Sequence, residues 1–281
     1  MIDFCKISIL SRDEFTPPFF IGSQIRGALG YALKSVVCTK DDGKCESCQS
    51  AQSCAFFDFY ERKNAYHNFC FDFKLGAPRY DFNIYLFESA IQNAPIILAS
   101  LHKMLCEIGL NINGTREIFK DIVIFVNDKF CFCNDDIKMP LDFCTRFTPK
   151  SFAPRIKLTF QTPLRIKKNN VFVRDDCLSL HDIFSSIFKR KLSILGKESE
   201  SLPKFSANLI STNLHYTELY RKSNAQKIDM NLGGLMGEML IDNLDKQSYE
   251  LLKIGELIGI GKQCSFGMGR FRIETDKIRL K

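Results

Sequence analysis

The sequence predicts an α+β protein made of two halves of similar size, each a sheet with two helices. Three observations carry this expectation. Short runs of alternating apolar residues and longer runs with apolar residues three and four apart follow in the order strand, helix, strand, strand, helix, strand. A polar stretch at 134–149, bearing Pro140 and Pro149, then interrupts the pattern, and a second set of strands and helices begins. The third is size: 281 residues, 45% hydrophobic and 25% charged, suit one large domain or two ordinary ones with proper cores.

Taken in order, residues 2–10 alternate and read as a strand, and Pro17-Pro18 marks a turn. Ser23 is placed to cap a helix running to about residue 36, with Ile25, Ala28, Leu29, Ala32, Leu33 and Val36 on one face. A cysteine-rich insertion, 38–54, follows. Residues 69–75 and 82–87 read as strands, 93–108 as a helix with Ile96, Ile97, Leu101, Leu105 and Ile108 grouped. Strands at 117–126 and 129–133 meet at the turn signal Asn127-Asp128. This order is the ferredoxin-like (RRM-like) split βαβ pattern, here βαββαβ with one strand appended.

The second half starts with strands at 155–161 and 164–173, the first ended by Thr162-Pro163. A helix at 178–195 comes next, then strands at 213–222 and 227–232, with 234–242 continuing the sheet. A helix at 245–257, a glycine-rich loop at 259–269 and a strand at 270–274 complete it. The domains expected are 1–140, with the cysteine insertion, and 150–281, with the glycine loop. They repeat in architecture and not in sequence.

No apolar run approaches the ~20 residues that span a bilayer. The start, Met1-Ile2-Asp3-Phe4-Cys5-Lys6, lacks the features of an export signal. A cytoplasmic protein with no membrane partner is expected, and its 12 cysteines are expected to be reduced thiols. The net charge of +7 is unevenly placed. Residues 155–174 hold Arg155, Lys157, Arg165, Lys167, Lys168 and Arg174 and no acid, and Lys262, Arg270, Arg272, Lys277, Arg279 and Lys281 follow later. A phosphate backbone is the natural partner of such a face, and a solvated basic surface is the plain alternative.

The glycine loop is the most pronounced local signal. Gly259, Gly261, Gly267 and Gly269 surround Lys262, with Arg270 just beyond. Glycine allows positive φ and close approach of backbone N–H groups to a phosphate. Two nucleotide motifs fail here: the P-loop pattern meets Glu256 and Gln263 at required positions, and the dinucleotide fingerprint meets Cys264. The loop also joins helix to strand, the reverse of those motifs. Polymeric phosphate remains.

The chain resembles a known family through four segments. The loop 259–269 is similar to the signature loop of the RAMP superfamily, the repeat-associated RNA-binding proteins of CRISPR systems. Residues Ile25-Arg26-Gly27-Ala28-Leu29-Gly30-Tyr31-Ala32-Leu33, Leu158 to Arg165, and Tyr216 to Ser223 leading into Gly233-Gly234-Leu235-Met236-Gly237 narrow this to the Cas-six endoribonucleases. The resemblance implies cleavage of precursor CRISPR RNA within each repeat. The 2′-hydroxyl attacks the adjacent phosphate, giving a 2′,3′-cyclic phosphate and a 5′-hydroxyl, with no metal in catalysis. A catalytically inactive subunit that grips the RNA inside a CRISPR effector complex is the alternative, and an interaction protein docking a partner through its cysteines is a third reading.

Family members use a His with Tyr or Lys near the first helix, which implies His67 as general base, with Tyr31 and Lys34 one turn apart on the helix and His215 as a further candidate. Their helix Tyr aligns with Gly30, and Ile258-Gly259-Ile260 stands where some relatives carry a His. RNA contacts are expected from Gly259, Gly261, Lys262, Gly267, Gly269 and Arg270, with Arg26, Arg165, Lys167, Arg221 and Lys222 in support. Cys38, Cys45, Cys48 and Cys54 form a C-x6-C-x2-C-x5-C pattern that suits structural zinc, less readily an iron–sulfur cluster, with loose reduced thiols as the plain alternative. The protein is expected as a monomer or homodimer.

Overall fold

The computed structural model describes residues 1–275, apart from 41–43, 63–65, 134–135, 138, 150, 176, 198–199 and 223–228. The basic residues Lys277, Arg279 and Lys281 therefore lie outside the described residues, as do Ser223 and the start of the expected strand at 227–232. The chain divides into two compact units, Met1–Arg146 and Phe147–Lys281.

The first unit runs β1 (Ile2–Ser11), α1 (Gly22–Val37), β2 (Phe69–Phe73), β3 (Phe82–Phe87), α2 (Ala94–His102), β4 (Ile122–Val126) and β5 (Lys129–Cys133). The strands pair antiparallel in the order β2-β3-β1-β4-β5, extended by short strands at Asp136–Ile137 and Thr145–Phe147. Alternation puts Cys5, Ile7 and Ile9 of β1 inward, with Ile7 opposite both Ile84 and Val126. Ile25, Leu29, Ala32 and Leu33 of α1 cover that face. Burying each of the larger aliphatic side chains contributes about 1.5–3 kcal/mol.

Three expectations are corrected here. α1 starts at Gly22 after the buried Ile21, so Ser23 lies inside the first turn and no side chain caps the helix. The second helix is regular only to His102; Lys103–Ile108 forms a wider π turn, ended by Gly109 at φ 76°. A Cβ at 109 would stand 2.4 Å from the Glu117 carbonyl oxygen, so only glycine fits. Residue 117 belongs to a hairpin, Leu110–Ile112 with Thr115–Glu117, and the sheet strand begins at Ile122.

The second unit runs β6 (Ile156–Leu164), α3 (Leu180–Ile194), β7 (Asn208–Thr217), β8 (Gly234–Asp242), α4 (Lys246–Ile258) and β9 (Phe271–Glu274). Its sheet order, β7-β8-β6-β9, repeats the β2-β3-β1-β4 circuit of the first unit. Both are ferredoxin-like. A reciprocal cap between Ser179 and Asp182 starts α3, and Asp245 accepts from the Ser248 N–H at the start of α4.

Strand β6 continues through Thr162-Pro163 where a break was expected. A bulge between Phe160 and Leu164 absorbs the proline, and the N–H groups of Gln161 and Thr162 both donate to the Arg270 carbonyl. The expected strand at 164–173 is instead a small hairpin, Lys167–Lys168 with Val171–Phe172, turned by Asn169 and Asn170 at positive φ. The third sheet strand is β8. Tyr220–Lys222 and Asp229–Asn231 form a separate hairpin.

Candidate nucleic-acid interface

The glycine loop is built on backbone contacts too close for any side chain. Gly259, Gly261, Gly267 and Gly269 all have positive φ, between 67° and 82°. A Cβ at 269 would lie 1.9 Å from the Ile260 oxygen, and one at 261 would lie 2.3 Å from the Arg165 oxygen. The N–H groups of all four are engaged within the protein. Gly259 donates to Gly255 O at 2.8 Å, Gly261 to Ser186 Oγ at 3.0 Å, Gly267 to Cys264 O at 2.9 Å and Gly269 to Pro163 O at 3.0 Å. The expected cradle of backbone donors aimed at a phosphate is therefore not what these glycines form; they let the loop lie against β6 and the segment after it.

Two arginines hold the C-terminal end of α4, which presents carbonyl groups without helical partners. Arg270 is 1% exposed, and its Nη1 donates to the Leu257 carbonyl at 2.7 Å. Arg190, also buried, donates from Nε to the Ile258 carbonyl at 2.8 Å. Positive charge at this end is favoured by the helix dipole as well. Arg270, expected to reach RNA, is thus an interior brace. Arg165 is similar: 7% exposed, it donates to the Gly233 carbonyl and stacks 4.2 Å above the Phe172 ring. Burial pushes its pKa below the ordinary guanidinium value.

What the loop turns outward is Lys262. Its side chain is exposed, and its N–H donates to the Arg165 carbonyl at 2.8 Å. Lys167, two residues on from Arg165, is also exposed. The structure thus sets two outward lysines on adjoining segments. His215 is exposed on β7, an edge strand, opposite Met236. Arg221 and Lys222 lie on the hairpin at Tyr220–Lys222, paired with Met230 and Asp229, and their side chains are outside the described residues.

In the first unit, a second constellation forms around α1. After the cysteine insertion, a π turn at Phe57–Glu61 brings Tyr60 against the helix. Its hydroxyl donates to the Arg26 carbonyl at 2.8 Å, and the Arg26 guanidinium sits 4.4 Å above its ring. Gly30 is required there, since a Cβ would stand 2.7 Å from the ring. Phe56 stacks on Tyr60 at 5.4 Å between centroids, with the Lys34 ammonium 5.1 Å from the Phe56 ring. Burial raises the Tyr60 pKa, which keeps its hydroxyl protonated. His67, half-buried, lies 5.7 Å from the Phe69 ring, which Arg26 also approaches at 5.7 Å.

His67, Lys34 and Arg26 thus border one aromatic cluster of Phe56, Tyr60 and Phe69. Tyr31 projects from α1 with 67% of its surface exposed. Phe56 and Tyr60 are the residues that sequence reading missed. The signal was the run Phe56-Phe57-Asp58-Phe59-Tyr60 together with a glycine inside a helix. The four cysteines of the insertion line a common cavity.

Comparison with known proteins finds a matching family model over the second unit. Residues 158–271 match the model of the CRISPR-associated endoribonuclease Cas6. The second unit is therefore similar to the Cas6 family. The Cas6 match begins within β6 and ends on the first residue of β9, so it takes in α4 and the braced loop. Residues 4–123 match a further model, described as an N-terminal domain. An uncharacterised protein of Archaeoglobus fulgidus is 25% identical over 286 residues, covering 93% of this chain and 94% of the relative. Among solved structures, a Cas6 product complex matches with TM-score 0.55 at 14% identity, over 97% of this chain and 99% of the other. Cas6b gives 0.52 at 17%, over 96% and 98%. The product of a Cas6-related gene from Pyrococcus furiosus gives 0.52 at 12%, over 99% and 100%. At such identities these structures carry the fold.

Proposed function

We propose that this chain binds CRISPR repeat RNA and cuts it by attack of the 2′-hydroxyl on the neighbouring phosphate, leaving a 2′,3′-cyclic phosphate and a 5′-hydroxyl. The observation that carries the reading is the Cas6 match over 158–271, which encloses the loop from which Lys262 faces outward. Lys262 and Lys167 neutralise backbone phosphates. His67 accepts the 2′-proton, Tyr31 orients the sugar, and Lys34 offsets the charge that develops on the phosphorane. The departing 5′-oxygen takes its proton from water to become the 5′-hydroxyl, after which His67 returns its proton to solvent. No step in this scheme draws on a metal ion.

One observation favours the second reading, a subunit that holds the RNA without cutting it. Neither α1 nor the glycine loop carries a histidine, and His215 belongs to the other unit from His67. Purified protein, EDTA and CRISPR repeat RNA distinguish the two. Cleavage at one position, blocked by a 2′-deoxy substitution there, supports the nuclease. Tight binding of RNA that stays intact supports the silent subunit, with effector-complex proteins as its expected partners. Among the described residues no helix is long and apolar enough to cross a membrane.

A further inference from the structure

The segment between α1 and the aromatic cluster holds more thiols than its packing uses. Cys38 follows the last turn of α1, Cys45 and Cys48 flank a tight turn, and Cys54 follows a short 3-10 turn at Ala51–Ser53. All four line one cavity of about 270 Å³, and none is in a disulfide. Between Cys38 and Cys54 the only aliphatic side chain is Ala51. Hydrocarbon burial therefore contributes little to fixing this loop, and another source of order is needed.

The local backbone suits a metal knuckle. The Cys48 N–H donates to the Cys45 carbonyl at 3.1 Å, and the Ala51 N–H donates to the Cys48 carbonyl at 3.2 Å, so two thiols hang from successive tight turns. Lys40 clasps the far side, donating to the Ser47 carbonyl at 2.9 Å. The described cavity wall includes Lys40 and Lys44 and neither a carboxylate nor an imidazole. Oxygen-seeking cations such as calcium and magnesium find no anionic oxygen ligand there, whereas four sulfurs match the tetrahedral preference of zinc.

We infer that this cavity is a structural zinc site with Cys38, Cys45, Cys48 and Cys54 as its four ligands. Among the described residues no three metal-ligating side chains already stand at coordinating distance, so loading draws the thiols inward by side-chain rotation and a small closure of the turns. Each bound zinc ion releases four thiol protons and leaves a tetrathiolate of net charge −2, which Lys40 and Lys44 offset. With all four positions filled by protein, the site takes no part in catalysis. Its effect is on shape, since Cys54 leads directly into the segment that sets Phe56 and Tyr60 against Lys34 and Arg26.

Elemental analysis of the full chain, expressed and purified without chelator, tests the assignment. One zinc per chain is expected, lost in Cys45→Ser and in Cys48→Ser and kept in Cys144→Ser, an exposed thiol outside the cavity. Trypsin should then cut at the exposed Lys44 at least about tenfold faster in Cys48→Ser than in the zinc-loaded chain, because binding energy no longer holds the loop closed. If the variants do not fold, titrating the intact protein with a mercurial reagent should release the zinc as four thiols react. Absence of zinc after zinc-supplemented purification, zinc unaffected by Cys48→Ser, or stoichiometric iron with sulfide in its place would each overturn the inference.

Discussion

Replacing Gly269 by alanine should damage the second unit far more than an ordinary glycine substitution. The residue has φ 67°, a region that costs an L-residue roughly 1–2 kcal/mol. The new Cβ would lie 1.9 Å from the Ile260 oxygen and 2.9 Å from its carbonyl carbon, so the backbone must separate. Two hydrogen bonds sit at that contact, Ile260 N–H to Gly269 O at 3.0 Å and Gly269 N–H to Pro163 O at 3.0 Å. Losing both costs a further 1–3 kcal/mol or so, at about 0.5–1.5 each. The total is about 2–5 kcal/mol, a large fraction of a domain's stability. Gly196→Ala is the control, because it too has positive φ (64°) yet nothing lies within 4 Å of its Cβ position. Urea unfolding of both variants, followed through the transition of the second unit, gives the comparison. A Gly269→Ala loss no larger than that of Gly196→Ala would refute the view that internal backbone contact requires these glycines.

Other consequences follow from the same geometry. Lys262→Ala should leave stability unchanged within about 0.5 kcal/mol and reduce the salt dependence of repeat-RNA binding by about one phosphate contact; filter binding across a salt series reads both slope and affinity. Arg270→Leu should destabilise the second unit by about 1–3 kcal/mol, since it leaves the Leu257 carbonyl without its buried donor; chemical denaturation checks it. Asp242 is held below its ordinary 3.8 by its hydrogen bond with Arg155. Its ionised form therefore adds stability above the unfolded-state value, and that contribution disappears as pH falls through the lowered folded-state pKa. Asp242→Asn should accordingly lose stability at neutral pH and show a flatter decline as pH falls below the ordinary carboxylate value, measured by denaturation across an acid pH series.

Much of the fold was legible because both sheets bury one face and leave a period-two trace, as in Ile7 and Ile9, while α1 and α4 carry clear apolar stripes. The register of the second unit was less legible. The strand at 234–242 was anticipated, and its Gly234 and Gly237 let β8 lie close to its neighbours: a Cβ at 237 would stand 2.0 Å from the Asn213 oxygen, and one at 234 would stand 2.4 Å from the Leu164 oxygen. The proline inside β6 was misleading, because the bulge that accepts it depends on the Arg270 carbonyl far along the chain.

Residue types were easier to anticipate at the candidate site than their tasks. Lys262 is exposed beside positive-φ glycines. Arg165 and Arg270 share the charge and neighbourhood of Lys262, yet they are interior. Only tertiary structure shows that the helix end at Leu257 and Ile258 needs buried donors. The clustering of His67 with Arg26 and Lys34 also depends on Phe56 and Tyr60 folding back onto Gly30, a contact between segments separated by the cysteine insertion.

Cleavage of repeat RNA in EDTA by the intact chain, compared with the same RNA carrying a single 2′-deoxy residue at the cut, decides whether the RNA's own 2′-hydroxyl is the nucleophile. One cut is expected, with a cyclic phosphate on the upstream product, abolished by the deoxy substitution and greatly slowed by His67→Ala while RNA affinity is retained. RNA that is bound and left intact, or cleavage that survives the missing 2′-hydroxyl, would contradict it.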